Sequence, residues 1–429
     1  MSNKVIRGRV LTFLDQPASL HDDACLTYLS DGAIAICDGL IAWVGPFNDL
    51  PAEHSQWHCD DHRPGLVMAG FIDAHTHFAQ MGVIGSYGEQ LLDWLETYTF
   101  NREAQFSDPQ HARKIAAAFL DELVTHGVTT AAVFGTSHKG AIEALFSEAD
   151  ARGMRLIAGK CLMDRNAPEQ ICDTARSGYD DTKALIGAWH GKGRLSYAVT
   201  PRFAITSSPE QLELTGTLMR EHPDCYLQTH LSENQAEIDY TAQLFPDAKD
   251  YLDVYDRFGL LGERALFGHC IHLTARERAV LAEARAVAVF CPTSNMFLGS
   301  GLFDYVGMKA DKVRIALATD IGAGTSYSML ATASEAYKVC QLQHTSLNPL
   351  ESFYLLTLGN ARSLSLDDRI GQIAAGHEAD LIVLDSQATP AMSTRMESAE
   401  SLAEELFILQ TLGDDRAVTA TYIAGQRLK

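Results

Sequence analysis

Phe71-Ile72-Asp73-Ala74-His75-Thr76-His77 closes an apolar run with two imidazoles separated by one residue. In an extended chain, side chains at i and i+2 point the same way. His75 and His77 therefore project together from one strand end toward one ion, which is metal-ligand geometry. Alone, His-Thr-His is a weak signal, and its weight depends on what the rest of the chain brings to it.

Outward from this stretch, the middle of the chain alternates strands and helices. The apolar run leading into it predicts a first strand at about Leu66–Phe71. Ala112–Thr125 has helical periodicity and Gly127 is placed to cap it before the β-branched run Val128–Val133. Further strands are predicted at Met154–Cys161, Leu195–Val199, Cys225–Thr229, Ala265–Phe267, Val287–Cys291 and Val313–Ala318, each separated by enough chain for a helix. Eight such strands predict an α/β protein with a (β/α)₈ barrel over residues 66–371. The flanks read differently. Ala33–Cys37 and Leu40–Val44 surround Asp38-Gly39, a dipeptide suited to the positive φ of a tight hairpin. In the tail, Ala379–Asp385 and Ala417–Ile423 are strand-like, and Ala424-Gly425 turns the chain. Residues 1–65 and 372–429 are accordingly expected to form a small composite β-sandwich domain.

Barrel enzymes carry their chemistry at the C-terminal ends of the strands. There the first strand gives His75 and His77, the fifth His230, the sixth His269 and the eighth Asp320. A single polar residue in such a place usually faces a loop, but five in register indicate a site. Imidazoles with a carboxylate suit Zn²⁺ with an exchangeable water, and Fe²⁺ or Mn²⁺ also use such mixed sites. The fourth strand runs into Thr200-Pro201-Arg202-Phe203 and offers no lysine to bridge two ions as a carbamate. One ion per chain is expected.

The Asp-Ala-His-Thr-His element, the later histidines and Thr319-Asp320 resemble the amidohydrolase superfamily. Within it, Tyr87-Gly88-Glu89-Gln90-Leu91-Leu92-Asp93-Trp94-Leu95, Met163-Asp164-Arg165-Asn166-Ala167-Pro168, Pro201-Arg202-Phe203-Ala204 and Cys291-Pro292-Thr293-Ser294-Asn295 resemble the branch acting on guanine. The resemblance covers essentially the whole chain. It implies a mononuclear zinc enzyme that hydrolyses guanine to xanthine and ammonia. It assigns His75, His77, His230 and Asp320 to the zinc, Glu233 to proton transfer and His269 to holding the water, with Asp320 also partnering that water. Gln80, Arg202 and Phe203 match the base-contacting positions. A homodimer is implied as well.

The chemistry can be argued independently. Zinc lowers the pKa of bound water to near 7. Attack at C2 of guanine breaks ring conjugation, so protonation of the adjacent N3 by Glu233 would offset the developing charge. A carboxylate in that role works best with a raised pKa. Arg202 presents only donors, and guanine offers acceptors at O6 and N7 where adenine carries a 6-amino donor. Rival substrates within the superfamily are 8-oxoguanine, cytosine and amino-triazines, and a rival of another class is a barrel scaffold that has lost catalysis. The His-x-Glu and Pro-Cys-x-x-Cys spacings of the other zinc deaminases do not occur in this chain.

Composition narrows the class. The 429 residues are 46% hydrophobic and 21% charged, an ordinary globular balance. The net charge of −21 repels polyanions, which argues against a nucleic-acid partner. Nine scattered cysteines form no C-x-x-C pair, the N-terminal stretch lacks the apolar core of a signal peptide, and no run suits a membrane span. A cytoplasmic enzyme is expected. The aromatic stripe Tyr87, Trp94, Tyr98 and Phe100 reads as core or subunit interface, His138 and His272 as structural, and Gly322-Ala323-Gly324 as a tight turn beside the metal.

Overall fold

The apolar run at Leu66 feeds two strands. His58–Ala69 belongs to a sheet built from the chain ends, where Leu66, Val67, Met68 and Ala69 pair antiparallel with Leu384, Val383, Ile382 and Leu381. After Gly70 the chain enters Phe71–His77, the first barrel strand, in which every residue is buried. The strand expected at Leu66–Phe71 is therefore displaced, and both histidines lie inside a strand instead of beyond one. A barrel strand buried on both faces does not alternate, so the apolar pattern carries no mark of the switch between sheets. The computed structural model describes residues 3–88 and 90–429; Met1 and Ser2 of the N-terminal stretch and Glu89 of the Tyr87–Leu95 string lie outside the described residues.

Among the described residues the barrel strands are Phe71–His77, Val128–Phe134, Arg155–Gly159, Leu195–Pro201, Tyr226–Leu231, Ala265–His269, Val287–Phe290 and Arg314–Leu317, neighbours in that order. The third to eighth pair in parallel. Cys161, expected as the end of the third strand, lies instead with Leu162 in a separate short strand on Thr200 and Pro201. The two ends of the sheet meet at its C-terminal rim: Asp320 N donates to His75 O and His77 N donates to Ile321 O, both at 2.9 Å. Several strands run further than their apolar stretches. The fourth reaches Pro201, the fifth passes through His230 and the sixth ends on His269. Polar functional side chains occupy the final strand residues, so hydrophobicity stops before the backbone ladder does.

The terminal segments form one seven-stranded sheet, ordered Gln426–Arg427, Val418–Ile423, Leu381–Leu384, His58–Ala69, Lys4–Phe13, Leu26–Cys37 and Leu40–Pro46. Its hairpin turns at Asp38 and Gly39, both with positive φ (50° and 83°), and Ile6, Ile34, Val67, Leu381 and Tyr422 pack in its core. The chain divides into two compact units. One comprises the segment ending at Asp73 with Asp121–Thr130 and Ser328–Lys429; the other comprises Ala74–Leu120 and Ala131–Tyr327 and contains every expected site residue. Among the described residues no helix is long and apolar enough to cross a membrane.

Two glycines test the backbone reading with opposite signs. Gly127, after helix Pro109–Thr125, has φ +79°, and a Cβ there would stand 3.2 to 3.4 Å from Ile382, Val418 and Phe71. Gly127→Ala is expected to cost about 1–2 kcal/mol, the penalty for an L-residue in the left-handed region. Gly187 lies exposed within helix Ala175–Trp189 with nothing near a Cβ, so Gly187→Ala should gain about 0.5–1 kcal/mol. Chemical denaturation midpoints should move in opposite directions.

Candidate functional site

Four donor atoms from three stretches of chain converge. His75 Nε2 and His77 Nε2 are 3.3 Å apart, as are His77 Nε2 and His230 Nε2. Asp320 Oδ1 stands 3.3 Å from His75 Nε2 and 3.2 Å from His77 Nε2. Metal–ligand bonds of about 2.0–2.1 Å in a tetrahedron place neighbouring donors about 3.3–3.4 Å apart. The donor set and its spacing therefore fit a divalent ion of the size of zinc.

The surroundings hold these atoms in a metal-ready state. Burial brings the pKa of His77 down to about 4, although Asp320 acts the other way. His230 lies well below its usual value, through burial and then through the neighbouring histidines. Neutral imidazoles keep a lone pair for a metal, and His230 Nδ1 donates to Arg202 O at 2.6 Å, leaving Nε2 as the ligand atom. Phe134, the last residue of the second strand, packs its ring 4.6 to 4.7 Å from the rings of His75, His77 and His230. Asp320 and His269 have φ of 51° and 70°, a sparsely populated region for non-glycine residues; for Asp320 the hydrogen bond to His75 O secures it.

Glu233 and His269 face this cluster. His269 Nε2 is 3.3 Å from Glu233 Oε2 and 3.8 Å from Asp320 Oδ2, and its Nδ1 is oriented by Asn295 Oδ1 at 2.9 Å. Glu233 Oε1 accepts from Ser300 Oγ at 3.2 Å. Burial, with Asp320 adding repulsion, pushes the Glu233 carboxyl up to about 8. Its position follows from a capping box: Asn234 and Glu237 start helix Gln235–Leu244, and Glu237 Oε2 also accepts from Glu233 N at 2.8 Å.

Arg202 is not a surface residue. Its Nη1 donates to both oxygens of Glu103, at 2.9 and 2.7 Å, with the two side chains 3% and 1% exposed. Burial opposes the guanidinium charge, Glu103 more than offsets it, and the pKa of Arg202 ends above its ordinary value. Gln80 Nε2 donates to the same carboxylate at 3.3 Å, and the Phe100 ring lies 5.3 Å from the guanidinium carbon. Sequence reasoning missed Glu103, Asn295, Ser300 and Phe134 as parts of the site. One signal could have found the first: a buried arginine requires a buried carboxylate, and Glu103 closes the aromatic segment.

All but one of the expected residues line one cavity, which is bounded by His77, Gln80, Arg202, Phe203, His230, Glu233, His269 and Asp320 together with Leu91, Trp94, Leu95, Leu298 and Ala323; His75 lies in contact behind it. The aromatic stripe is thus divided. Trp94 walls the cavity instead of serving only as core, Phe100 is buried beside Arg202, and Tyr87 is 75% exposed. His272 Nε2 lies 2.8 Å from Ser300 O, outside the donor cluster. Gly322-Ala323-Gly324 does form a turn, closed by Gly324 N on Asp320 O at 2.7 Å.

The amidohydrolase family pattern matches residues 66–428. A curated guanine deaminase of Escherichia coli (strain K12) is 45% identical over 427 residues, covering 99% of this chain and 97% of that protein. The solved structure of E. coli guanine deaminase matches with a TM-score of 0.96 at 44% identity, covering 99% of each chain. Guanine deaminase from C. acetobutylicum, solved with guanine in its active site, matches at 0.91 and 28% identity over 100% of each chain.

The close packing of the cluster gives a test away from any donor atom. A Cβ on Gly268 would stand 2.7 Å from His75 Cε1, so the ring must move if a side chain is added. Gly268→Ala is expected to purify with well under the wild-type metal content while retaining its circular dichroism spectrum. Full metal content would contradict the fit described for His75.

Proposed function

We propose that the cluster around His75 carries the chemistry of this chain, which belongs to the amidohydrolase family and catalyses the hydrolytic deamination of guanine. His75, His77, His230 and Asp320 hold a divalent metal, in this reading a single Zn²⁺. The spacing of His77 to His75, His230 and Asp320, 3.2 to 3.3 Å, supports it. So does Lys160, the buried lysine at the end of the third strand, whose ammonium is engaged by Asp173 and not free to bridge two ions. When bound, the ion supplies Lewis acidity sufficient to bring the pKa of water to about 7.

The protein side chains manage the protons. His269, oriented by Asn295 and facing both Glu233 and Asp320, holds the attacking water against C2 of the base. Asp320 accepts a proton as the water oxygen bonds to C2. Glu233, kept protonated by burial, donates to ring N3 and so limits the charge that builds there as the C2=N3 double bond becomes single. It then takes the hydroxyl proton of the added water and passes it to the amino nitrogen, the C2–N bond to that nitrogen breaks to release ammonia, and the proton held by Asp320 restores Glu233. Of the two water protons one ends on N3 and one on ammonia, leaving xanthine. Gln80, Arg202 and Phe203 hold the base. Leu91, Trp94 and Leu95 wall the cavity and would flank a bound base. The observation that carries the reading is the juxtaposition of three imidazoles and a carboxylate, a buried Glu233 and an arginine around one cavity. The family resemblance supports a homodimer. The scattered cysteines, which form no C-x-x-C pair, support a reducing, cytoplasmic setting.

Ammonia release from a panel of aminated purines, pyrimidines and triazines tests the substrate, with guanine expected to dominate. Glu233→Gln should retain its metal and bind guanine while losing about 10²–10⁴-fold in kcat, the usual contribution of general acid–base catalysis. Near-normal turnover would remove Glu233 from the reaction.

Arg202→Met would strand Glu103 as an unpaired buried carboxylate, at a cost of about 3–5 kcal/mol in stability, so Arg202→Lys is the cleaner probe. It keeps the charge opposite Glu103 but loses the fork. Expected is a fall in kcat/KM for guanine of about tenfold or more, and a smaller fall for 2-aminopurine, which lacks O6. Equal losses on both bases would mean that Arg202 does not read O6.

A further inference from the structure

Arg202 and Gln80 reach the cavity from a shared anchor. Glu103 does not line the cavity; it stands behind both residues, accepting two contacts from Arg202 Nη1 and one from Gln80 Nε2. A carboxylate only accepts hydrogen bonds. The amide nitrogen of Gln80 must therefore face Glu103, and the carbonyl oxygen is the end left for a ligand. On the arginine, Nη1 is committed to Glu103 and the guanidinium also engages the Cys161 thiol, so only its remaining N–H groups are left as donors. The anchor thus sets a donor group and an acceptor group of fixed polarity on one wall.

The charge arrangement says what kind of ligand this wall takes. A buried guanidinium needs a counter-charge. Where the ligand is an anion, the ligand can supply it; here Glu103 supplies it permanently, so the matching ligand is neutral. A neutral base with acceptors beside donors complements the wall. Guanine has acceptors at O6 and N7 and donors at N1 and the 2-amino group. Adding an amino group at C6 in place of the oxygen, as in 2,6-diaminopurine, keeps the reactive 2-amino group but turns the C6 acceptor into a donor and the N1 donor into an acceptor.

We propose that Glu103 is a positioning residue for base selectivity: by locking the Gln80 amide and the Arg202 fork, it fixes the polarity that admits 6-oxo and rejects 6-amino 2-aminopurines. This rests on the reading of the site as guanine-hydrolysing. It assigns selectivity to a side chain that never touches the base, and it requires that Gln80 and Glu103 act as a unit.

The test compares kcat/KM for guanine and 2,6-diaminopurine. In Glu103→Gln the new amide both donates and accepts, so Gln80 can present either end. The guanine preference should fall by about ten- to a hundredfold, the worth of one charge-assisted contact and its loss, mainly through KM for guanine and at wild-type metal content. Gln80→Met should lower the same preference, and adding Glu103→Gln to Gln80→Met should change it far less than in the wild-type background, since coupled residues are non-additive. A uniform loss on both bases, or additive effects in this cycle, overturns the proposal. Should Glu103→Gln fail to fold, Gln80→Met alone decides: an unchanged preference overturns it. Wild-type protein that releases no ammonia from guanine would instead refute the functional reading itself.

Discussion

Four donor atoms in a buried space, with His77 3.2 to 3.3 Å from His75, His230 and Asp320 and with His75 3.3 Å from Asp320, are the constraint on which the site depends. Three imidazoles and a carboxylate so placed leave a centre that only a cation complements. The backbone keeps them there. Asp320 N on His75 O and His77 N on Ile321 O tie the turn after the eighth strand to the end of the first, so ligands distant in sequence share one backbone register. Phe134 beneath the rings and Gly268 against His75 leave the imidazoles no room to turn. Left-handed backbone at Asp320 and His269 is strain held where the chemistry is.

A second charge problem lies at Arg202. Burying Arg202 obliges the protein to bury a carboxylate too, and Glu103 answers that need while accepting from Gln80. Such a pair contributes little net stability, because desolvation of two ions is offset only by good geometry. In the proposed reading its value is directional: it decides which atoms face the cavity. Glu233 presents the contrasting case, a carboxyl that faces His269 and Asp320 and not an arginine, whose burial favours the protonated form that a general acid requires.

The sequence made much of this legible, for reasons that can be named. Eight apolar runs separated by helical lengths pointed to the barrel, and the polar residues just past the end of each run pointed to His75, His77, His230, His269 and Asp320. The same method misplaced the first strand, because Leu66–Ala69 and Phe71–His77 are both buried and one glycine between them marks the change of sheet. Asp38-Gly39 and Gly127 were readable because positive φ restricts which residues can serve. Glu103 was not, since nothing local distinguishes a glutamate at a helix end from a solvated one; only the burial of Arg202, a tertiary fact, requires it. Trp94 was read as core because an aromatic stripe at helical spacing does not say which side faces a cavity. Phe134 and Asn295 likewise act on the histidines through space, with no sequence spacing to betray them.

The central claim is that His75, His77, His230 and Asp320 together bind one ion that the reaction needs. Elemental analysis of the purified protein, paired with X-ray absorption at the metal edge, tests it most directly. Expected are about one divalent ion per chain, imidazole nitrogens and a carboxylate oxygen in its inner coordination shell, and loss of guanine hydrolysis on chelation that is restored by Zn²⁺. Two ions per chain, thiolate ligation, or full activity in metal-stripped protein would contradict it.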